Sequence, residues 1–410
     1  MIQFSNSPNL QFSNSRPPAV PVALAGSAAF LNLYATQPLL PLLARTFHAS
    51  PFQVGLTVTA PTVAVAVAAP FVGRLADRVG LQRVIVAAAF VLAAAAALAA
   101  TSASLGQLIG WRFVQGIVTP GVFACTVAYV YEMWPPERAG RAMAVYITGT
   151  ILGGFLGRVL TGVIASRADW RLSFAVIAAI AFGIAVVLWR FLPDERKLGR
   201  PTVAAPRVEP RGRVRGLFRN RPLVATYAIG FCVLFTNVAM FTYVTFHLAA
   251  PPYVLGTAAL GWLFVVYLVG AVATAMSGAW IDAYGHRAGL ASAMTIGAAG
   301  ALLTLVPSIS AIVAGLALSS TGVFIAQTTA SSYIGTVTAT DRALAVGLYS
   351  TFYYAGGSAG GSAPAPFWNA AGWPGCVALV VLVQLTGAAI ALTSWTGAPD
   401  RATAAARPLP

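Results

Sequence analysis

Apolar stretches of about 20 residues or more, separated by short polar or basic loops, fill the chain from residue 20 to residue 396. They predict twelve membrane-crossing helices, at 20–43, 52–73, 83–101, 105–131, 142–166, 171–192, 222–247, 257–281, 288–306, 310–334, 343–368 and 374–396. Each is long enough to cross about 30 Å of hydrocarbon. Several are Ala-rich, Val84 to Ala100 above all, and small side chains let membrane helices approach closely. Three segments stand outside the pattern. Residues 1–19 are polar and lack the basic lead and cleavable core of a signal peptide, so a disordered tail is expected. Residues 193–221 are irregular and Arg-rich, which predicts a cytoplasmic linker between six-helix halves at 20–192 and 222–396. Residues 397–410 form a second tail.

Composition turns the pattern into a class. Hydrophobic residues make up 58% of the chain and charged residues 9%, against about 25% charged in soluble domains. The expected surroundings are therefore a lipid bilayer. A net charge of +15 does not mark a nucleic-acid binder, because the cations collect in short loops and in the linker. With both termini cytoplasmic, roughly 20 of the 25 Lys and Arg residues lie inside, the bias that orients membrane proteins. Cys125, Cys232 and Cys376 sit far apart within spans and are expected as small core residues. His48, His247 and His286 form no cluster, so no metal site is expected.

One short pattern, G-x-x-x-D-x-x-G, occurs twice. Gly73 to Gly80 closes the second span and Gly278 to Gly285 closes the eighth, about 205 residues later. At a similar offset, Tyr146, Gly153, Gly154, Gly157 and Trp170 match Tyr349, Gly356, Gly357, Gly360 and Trp373. Internal repeats of this kind predict two related bundles, a hallmark of secondary transporters. Other classes lack their chemistry. Lys197, the one lysine, has none of the glycines of a phosphate-binding loop. No nucleophile, base and orienting acid share a span, so an enzyme is not expected and neither is a cofactor.

The motifs resemble those of the major facilitator superfamily. Gly73 to Arg83 is similar to its loop pattern G-x-L-a-D-r-x-G-r-k, and Arg112 to Gly116, with Gln115, to its fourth-helix R-x-x-q-G. Gly149 with Gly153 to Arg158 resembles its Gly-rich fifth-helix exporter motif. Tyr34 to Pro41 and Phe352 to Gly357 resemble the YnfM-type group of bacterial exporters. The chain departs from the patterns at Leu81 and Gln82, where a basic pair is usual, and at Gly154, where exporters commonly carry Pro. The resemblance implies an all-α membrane protein with two pseudo-symmetric six-helix bundles around a central cavity. It also implies a monomeric carrier of a small organic solute in the bacterial cytoplasmic (inner) membrane, working by alternating access, outward, in exchange for protons. A latch is implied too: Asp77 would face the amino end of the eleventh helix, and Glu132 would pair with Arg78 or Arg83. Asp282, with His286 and Arg287, would repeat it in the second half. Gly73, Gly80, Gly278 and Gly285 would supply close packing and sharp turns. Gly149, Gly153, Gly154, Gly157, Gly356, Gly357 and Gly360 are expected to pack helices.

Arg112 and Arg158 are the most informative single residues. Both fall well inside spans, and an Arg near mid-membrane costs at least about 2.5 kcal/mol unless it faces a cavity or a partner. The first six spans hold no acid at that depth. Two readings follow: the guanidinium groups attract an anionic or strongly polar part of the solute, or they brace backbone carbonyls. Asn32, Thr36 and Gln37 on the first span are expected along the same path. So are Gln115 on the fourth, Asn237 and Phe241 on the seventh, Gln327 on the tenth and Tyr353 on the eleventh. The runner-up to proton-coupled efflux is a facilitator or importer of an organic anion that uses Arg112 and Arg158.

Overall fold

Local signals set where each apolar stretch becomes a helix. In the computed structural model, residues 19–194, 216–338 and 342–395 are described, without the side chains of Pro136, Ala279, Asp282, Arg342 and Ala343. Both expected tails and most of the expected linker lie outside the described residues. Helix α1 (Ala19–Leu33) and the short α2 (Leu40–Thr46) make one crossing, joined through a 3-10 turn at Gln37–Leu39. Then come α3 (Pro51–Val79), α4 (Leu81–Ala100), α5 (Leu105–Met133), α6 (Pro136–Arg167) and α7 (Trp170–Phe191). Ser50 opens α3 with a capping box to Gln53, which satisfies amide groups that a helix start leaves free. Ser104 caps α5 and Asn220 caps α8 (Arg221–Ala249) in the same sense. The chain ends with α9 (Thr257–Trp262), a 3-10 turn at Leu263–Val265, α10 (Val266–Leu303), α11 (Ile309–Val337), α12 (Arg342–Ser362) and α13 (Ala365–Ser394).

The two copies of the sequence repeat take one conformation. Gly80 (φ 105°, ψ 145°) and Gly285 (φ 81°, ψ 159°) both leave the helical region at the end of their pattern, where a side chain would be strained. Gly285 thereby divides α10 into two crossings. Among the described residues, ten stretches are long and apolar enough to span a membrane, two fewer than the expected twelve. One difference is the crossing after Gly285, which opens with His286 and Arg287 and is less apolar than the stretch that ends at Gly278. The other is α12, whose Tyr, Ser, Thr and Gly content makes it less apolar than a lipid-facing helix. The boundary at 368/374 also moves: the chain turns at Ala363 and Pro364, and α13 begins at Ala365 with a second break at Gly372 (φ 62°).

The fold is two pseudo-symmetric six-helix bundles around a central cavity. In the first, α1 lies on α6, α3 on α5, and α4 on α5 and α7; in the second, α8 lies on α12 and α13, and α10 on α11 and α13. Glycines place these pairs. On α6, a Cβ added to Gly149, Gly153 or Gly157 would overlap the carbonyl oxygen of Ala23, Ser27 or Leu31. On α12, Gly356 and Gly360 meet Phe231 and Phe235 in the same way. The row of small residues and its partner row each advance four at a time, so the helices cross face to face. Gly154 is different: it lies beside the Arg158 guanidinium and packs on no backbone, and Gly357 meets the side chain of Leu234.

Apolar packing shows which end is closed. One large core joins both bundles through residues such as Leu39, Val58, Phe155, Phe241, Phe264 and Tyr354. These lie in the half of the molecule remote from Ala19 and Arg221, where the bundles begin. Nearer those ends each bundle keeps a core of its own, around Ile85 and Tyr129 in the first and around Leu290 and Tyr333 in the second. The bundles are therefore sealed together at one end and separate at the other.

Candidate functional site

The site grows from the interruption between α1 and α2. Where α1 stops at Leu33, its last carbonyl groups lose their helical partners. Arg112 on α5 supplies donors instead. Its Nη1 donates to Asn32 O (2.7 Å), its Nη2 to Leu33 O, and its Nε to Thr57 O on α3 (3.1 Å). Nη1 also donates to Gln115 Oε1, one turn further along α5 (2.5 Å). The side chain is fully buried. Its planar fork is thus spent on three carbonyl groups from two other helices, an arrangement that an ammonium could not match.

Arg158 on α6 approaches the same interruption from the other side. Nε donates to Gln37 Oε1 (2.7 Å) and Nη1 to the carbonyl of Gly154 (2.6 Å). Around it stand three rings, Tyr34, Phe264 and Tyr267, with centroids 4.8, 4.6 and 5.0 Å from the guanidinium carbon. Cation–π attraction of this kind is worth about 2 kcal/mol when desolvated. Two of those rings belong to the second bundle. Tyr267 continues the cluster by donating to Asn237 Oδ1 (3.2 Å) and packing edge-on to Phe241 (4.6 Å). Among the described residues, no carboxylate reaches either arginine. Three buried polar atoms nearby, Asn32 Oδ1, Thr36 Oγ1 and Gln115 Nε2, have no hydrogen-bond partner.

Most of the residues expected along the path therefore meet here. Asn32, Thr36, Gln37, Gln115, Asn237 and Phe241 all lie within the group around Arg112 and Arg158. Gln327 and Tyr353 are half-buried on α11 and α12, and Tyr353 stacks on Tyr349 and meets Tyr354 edge-on. No hydrogen bond ties those two residues to the arginines. Sequence reasoning passed over Phe264 and Tyr267, since a ring some hundred residues away carries no local sign that it will cover a cation.

A second seam closes the same end. Gly55 and Gly361 put α3 and α12 backbone to backbone. Thr59 Oγ1 donates to Ser358 O (2.9 Å), and Ser358 Oγ to Thr62 Oγ1 (3.2 Å). Opposite it, Gly162 and Gly261 bring α6 against α9, and Phe155 packs edge-on to Trp262 (5.9 Å).

The expected latch residues stand at the open end. Asp77, Arg78 and Arg287 are exposed and Glu132 is half-buried. Among the described residues, a Cβ on Gly73 or Gly278 would meet nothing within 4 Å. Arg83 pairs with Asp194 at 3.3 Å, a partner that the loop pattern does not suggest. The eleventh helix, whose amino end Asp77 is expected to face, begins at Arg342, next to 339–341, and those residues and the side chain of Asp282 lie outside the described residues.

Comparison with known proteins agrees with this architecture. Residues 22–257 match the Major Facilitator Superfamily profile. An uncharacterized MFS-type transporter of Bacillus subtilis, YybF, is 32% identical over 368 residues, 88% of this chain and 89% of that one. The Escherichia coli inner membrane transport protein YnfM is 30% identical over 385 residues, 93% and 92% of the two chains. Among solved structures, a bacterial homolog of the human lysosomal transporter Spinster, inward-facing and unoccupied, superposes with a TM-score of 0.76 at 16% identity, covering 93% of this chain and 97% of that one. With a repeated latch pattern, paired glycine rows and bundles joined at one end, the chain belongs to the Major Facilitator Superfamily and is a multi-pass membrane transporter, not an enzyme.

Proposed function

We propose that this transporter moves a small neutral or anionic organic solute outward across the bacterial cytoplasmic membrane by alternating access, in exchange for protons. It acts as a monomer with both termini in the cytoplasm, so the conformation described above is the inward-facing one. The observation that carries the alternating-access reading is the pair of seams. The bundles meet at one end, through a shared apolar core, facing glycines, a few hydroxyls and the Arg158 cage, contacts that can part and reform as the bundles rock. Outward direction rests on the resemblance of the fifth-helix glycines to the exporter motif. Arg112 serves as a brace for the α1 interruption, and Arg158, with the Tyr34 and Tyr267 rings, is the group that meets the solute. Among the described residues the buried charged side chains are these two arginines. A lipophilic cation would find no buried acid to balance it, which disfavours that class.

Proton exchange needs a titrating group, and Asp77, Glu132 and Asp282 at the membrane edge are the acids available. That scarcity favours a second reading, in which the protein is a facilitator or importer of an organic anion drawn by Arg158. Flux into inside-out vesicles carrying an internal pH dye separates the two. Solute uptake that releases protons from the lumen supports exchange, whereas uptake indifferent to an imposed pH gradient leaves the facilitator. Arg158→Ala should abolish saturable uptake in either case; unchanged kinetics in that variant would remove Arg158 from the path.

A further inference from the structure

A groove with a volume of about 680 Å³ runs along the first bundle between α3 and α4, with α5 as its floor. Its walls include Val67, Phe71 and Leu75 from α3 and Val91 from α4, with Phe113 and Ile117 below. These are large apolar side chains left exposed, Phe71 by 60%. Every lining residue is apolar or glycine except one, Arg83. Arg83 opens α4 at the membrane edge, where its side chain is 53% exposed despite the pair with Asp194.

The groove faces away from the central cavity. The opposite side of α3, at Gly55, Thr59 and Thr62, is the side that meets α12. Between Ala64 and Val79, α3 rises by roughly 20 Å, more than the depth of one leaflet, about 15 Å. An apolar slot of one leaflet's length, with a single cation at the headgroup level, matches a lipid with a negative headgroup. The geometry points to a structural binding site for an anionic phospholipid, its acyl chain in the α3–α4 groove and its phosphate on Arg83. The wall offers no hydrogen bond, which an acyl chain does not need and a polar solute would. Asp194 engages only Nη2 of Arg83, at 3.3 Å, so the other guanidinium nitrogens can take a phosphate oxygen. Since α3 also carries Gly73, Asp77 and Gly80, the lipid would rest on the helix whose end the latch pattern occupies.

Lipid retention by the purified full-length protein tests the site independently of any transported solute. After exhaustive washing in detergent, the protein is offered phosphatidylglycerol, phosphatidylcholine or diacylglycerol, and bound lipid is counted by native mass spectrometry. Phosphatidylglycerol should be retained about fivefold better than phosphatidylcholine, the factor expected for one basic contact. Arg83→Gln should erase that preference, and Ala87→Trp, which fills the groove from an exposed position on α4, should remove retention of both. Should Ala87→Trp fail to fold, Val67→Trp on the opposite wall gives the same readout. Equal retention of the two phospholipids by the parent protein would overturn the proposal, as would undiminished phosphatidylglycerol on a folded groove-filled variant. Preference for diacylglycerol would also overturn it and mark the groove as a path for neutral amphiphiles.

Discussion

The two seams that hold the bundles together occupy equivalent places, yet they are made of different chemistry. At the two offsets that superpose the repeats, 203 for the glycine rows and 205 for the G-x-x-x-D-x-x-G pattern, Gly361 on α12 answers to Arg158 on α6, and Thr59 on α3 to Phe264 in the second bundle. One seam is therefore glycine and hydroxyl, with α3 and α12 close enough for Thr59 to reach the Ser358 carbonyl. The other also brings glycines together, at Gly162 and Gly261, but carries a cation among rings in place of the hydroxyls. A similar contrast runs through the first crossing of each bundle. The first breaks after Leu33 and needs Arg112 to satisfy its carbonyls, whereas α8 is unbroken from Arg221 to Ala249. Glycine rows keep the scaffold twofold, and the departures from twofold gather around the candidate site. The proposed recognition chemistry sits where the symmetry fails.

If the glycine rows hold the scaffold, equivalent changes in the two bundles should fail alike. Gly153→Val and Gly356→Val each place carbon atoms on a carbonyl oxygen of the facing helix. Backbone cannot yield as a side chain can, so neither protein should be recovered folded, as judged by size-exclusion chromatography in detergent. Overpacking of an ordinary core costs about 1–3 kcal/mol, and these overlaps exceed that case. Survival of one variant but not the other would show that the bundles are built on different principles.

The hydroxyl seam predicts a near-total effect on flux with the fold intact. Ser358 Oγ lies 3.2 Å from Thr62 Oγ1, so Cys at both positions is within disulfide reach. Oxidation of Thr62→Cys/Ser358→Cys should halt transport, and a reductant should restore it. The native Cys125, Cys232 and Cys376 are all buried and form no disulfide. Continued flux by the oxidised protein would mean that this seam does not part during the cycle.

Arg112→Ala should act on stability more than the cage does. It leaves the carbonyls of Leu33 and Thr57 without their donors in a buried setting, and each such loss costs about 1–3 kcal/mol. A fall of about 3 kcal/mol, read from the thermal midpoint in detergent, is expected, and Arg112→Lys should recover little of it. An unshifted midpoint would mean that the interruption does not depend on this residue.

These expectations also show how far the chain could be read before its fold was known. Spans were legible because mean apolarity is set by the bilayer, and the glycine rows because a repeat leaves the same spacing twice. The turns at Gly80 and Gly285 followed from one pattern in two places. What stayed hidden depends on contacts between distant segments. Nothing in Leu33-Tyr34-Ala35-Thr36 announces a break, since Pro38 and Pro41 lie beyond it. The break is stable because Arg112, far along the chain, receives its carbonyls. The rings over Arg158, the Arg83–Asp194 pair and the Gly55–Gly361 approach belong to the same category. The early start of α13 escaped notice because no charged residue between Ser362 and Trp368 ends the eleventh apolar stretch at the turn of Ala363 and Pro364.

The smallest expected change in stability belongs to the first glycine of each latch pattern, and its sign is informative. Gly73 lies inside α3 and Gly278 inside α10, and a Cβ at either meets nothing within 4 Å. Alanine in a helix interior is favoured over glycine by about 0.5–1 kcal/mol. Gly73→Ala and Gly278→Ala should therefore raise the thermal midpoint slightly, opposite to Gly153→Val and Gly356→Val. If these glycines are needed for close packing only when the open end shuts, flux should fall in the same variants even as stability rises. A gain in stability with unchanged flux would assign the glycines no part in closing that end. A loss of stability would mean that the closed packing is already populated at rest.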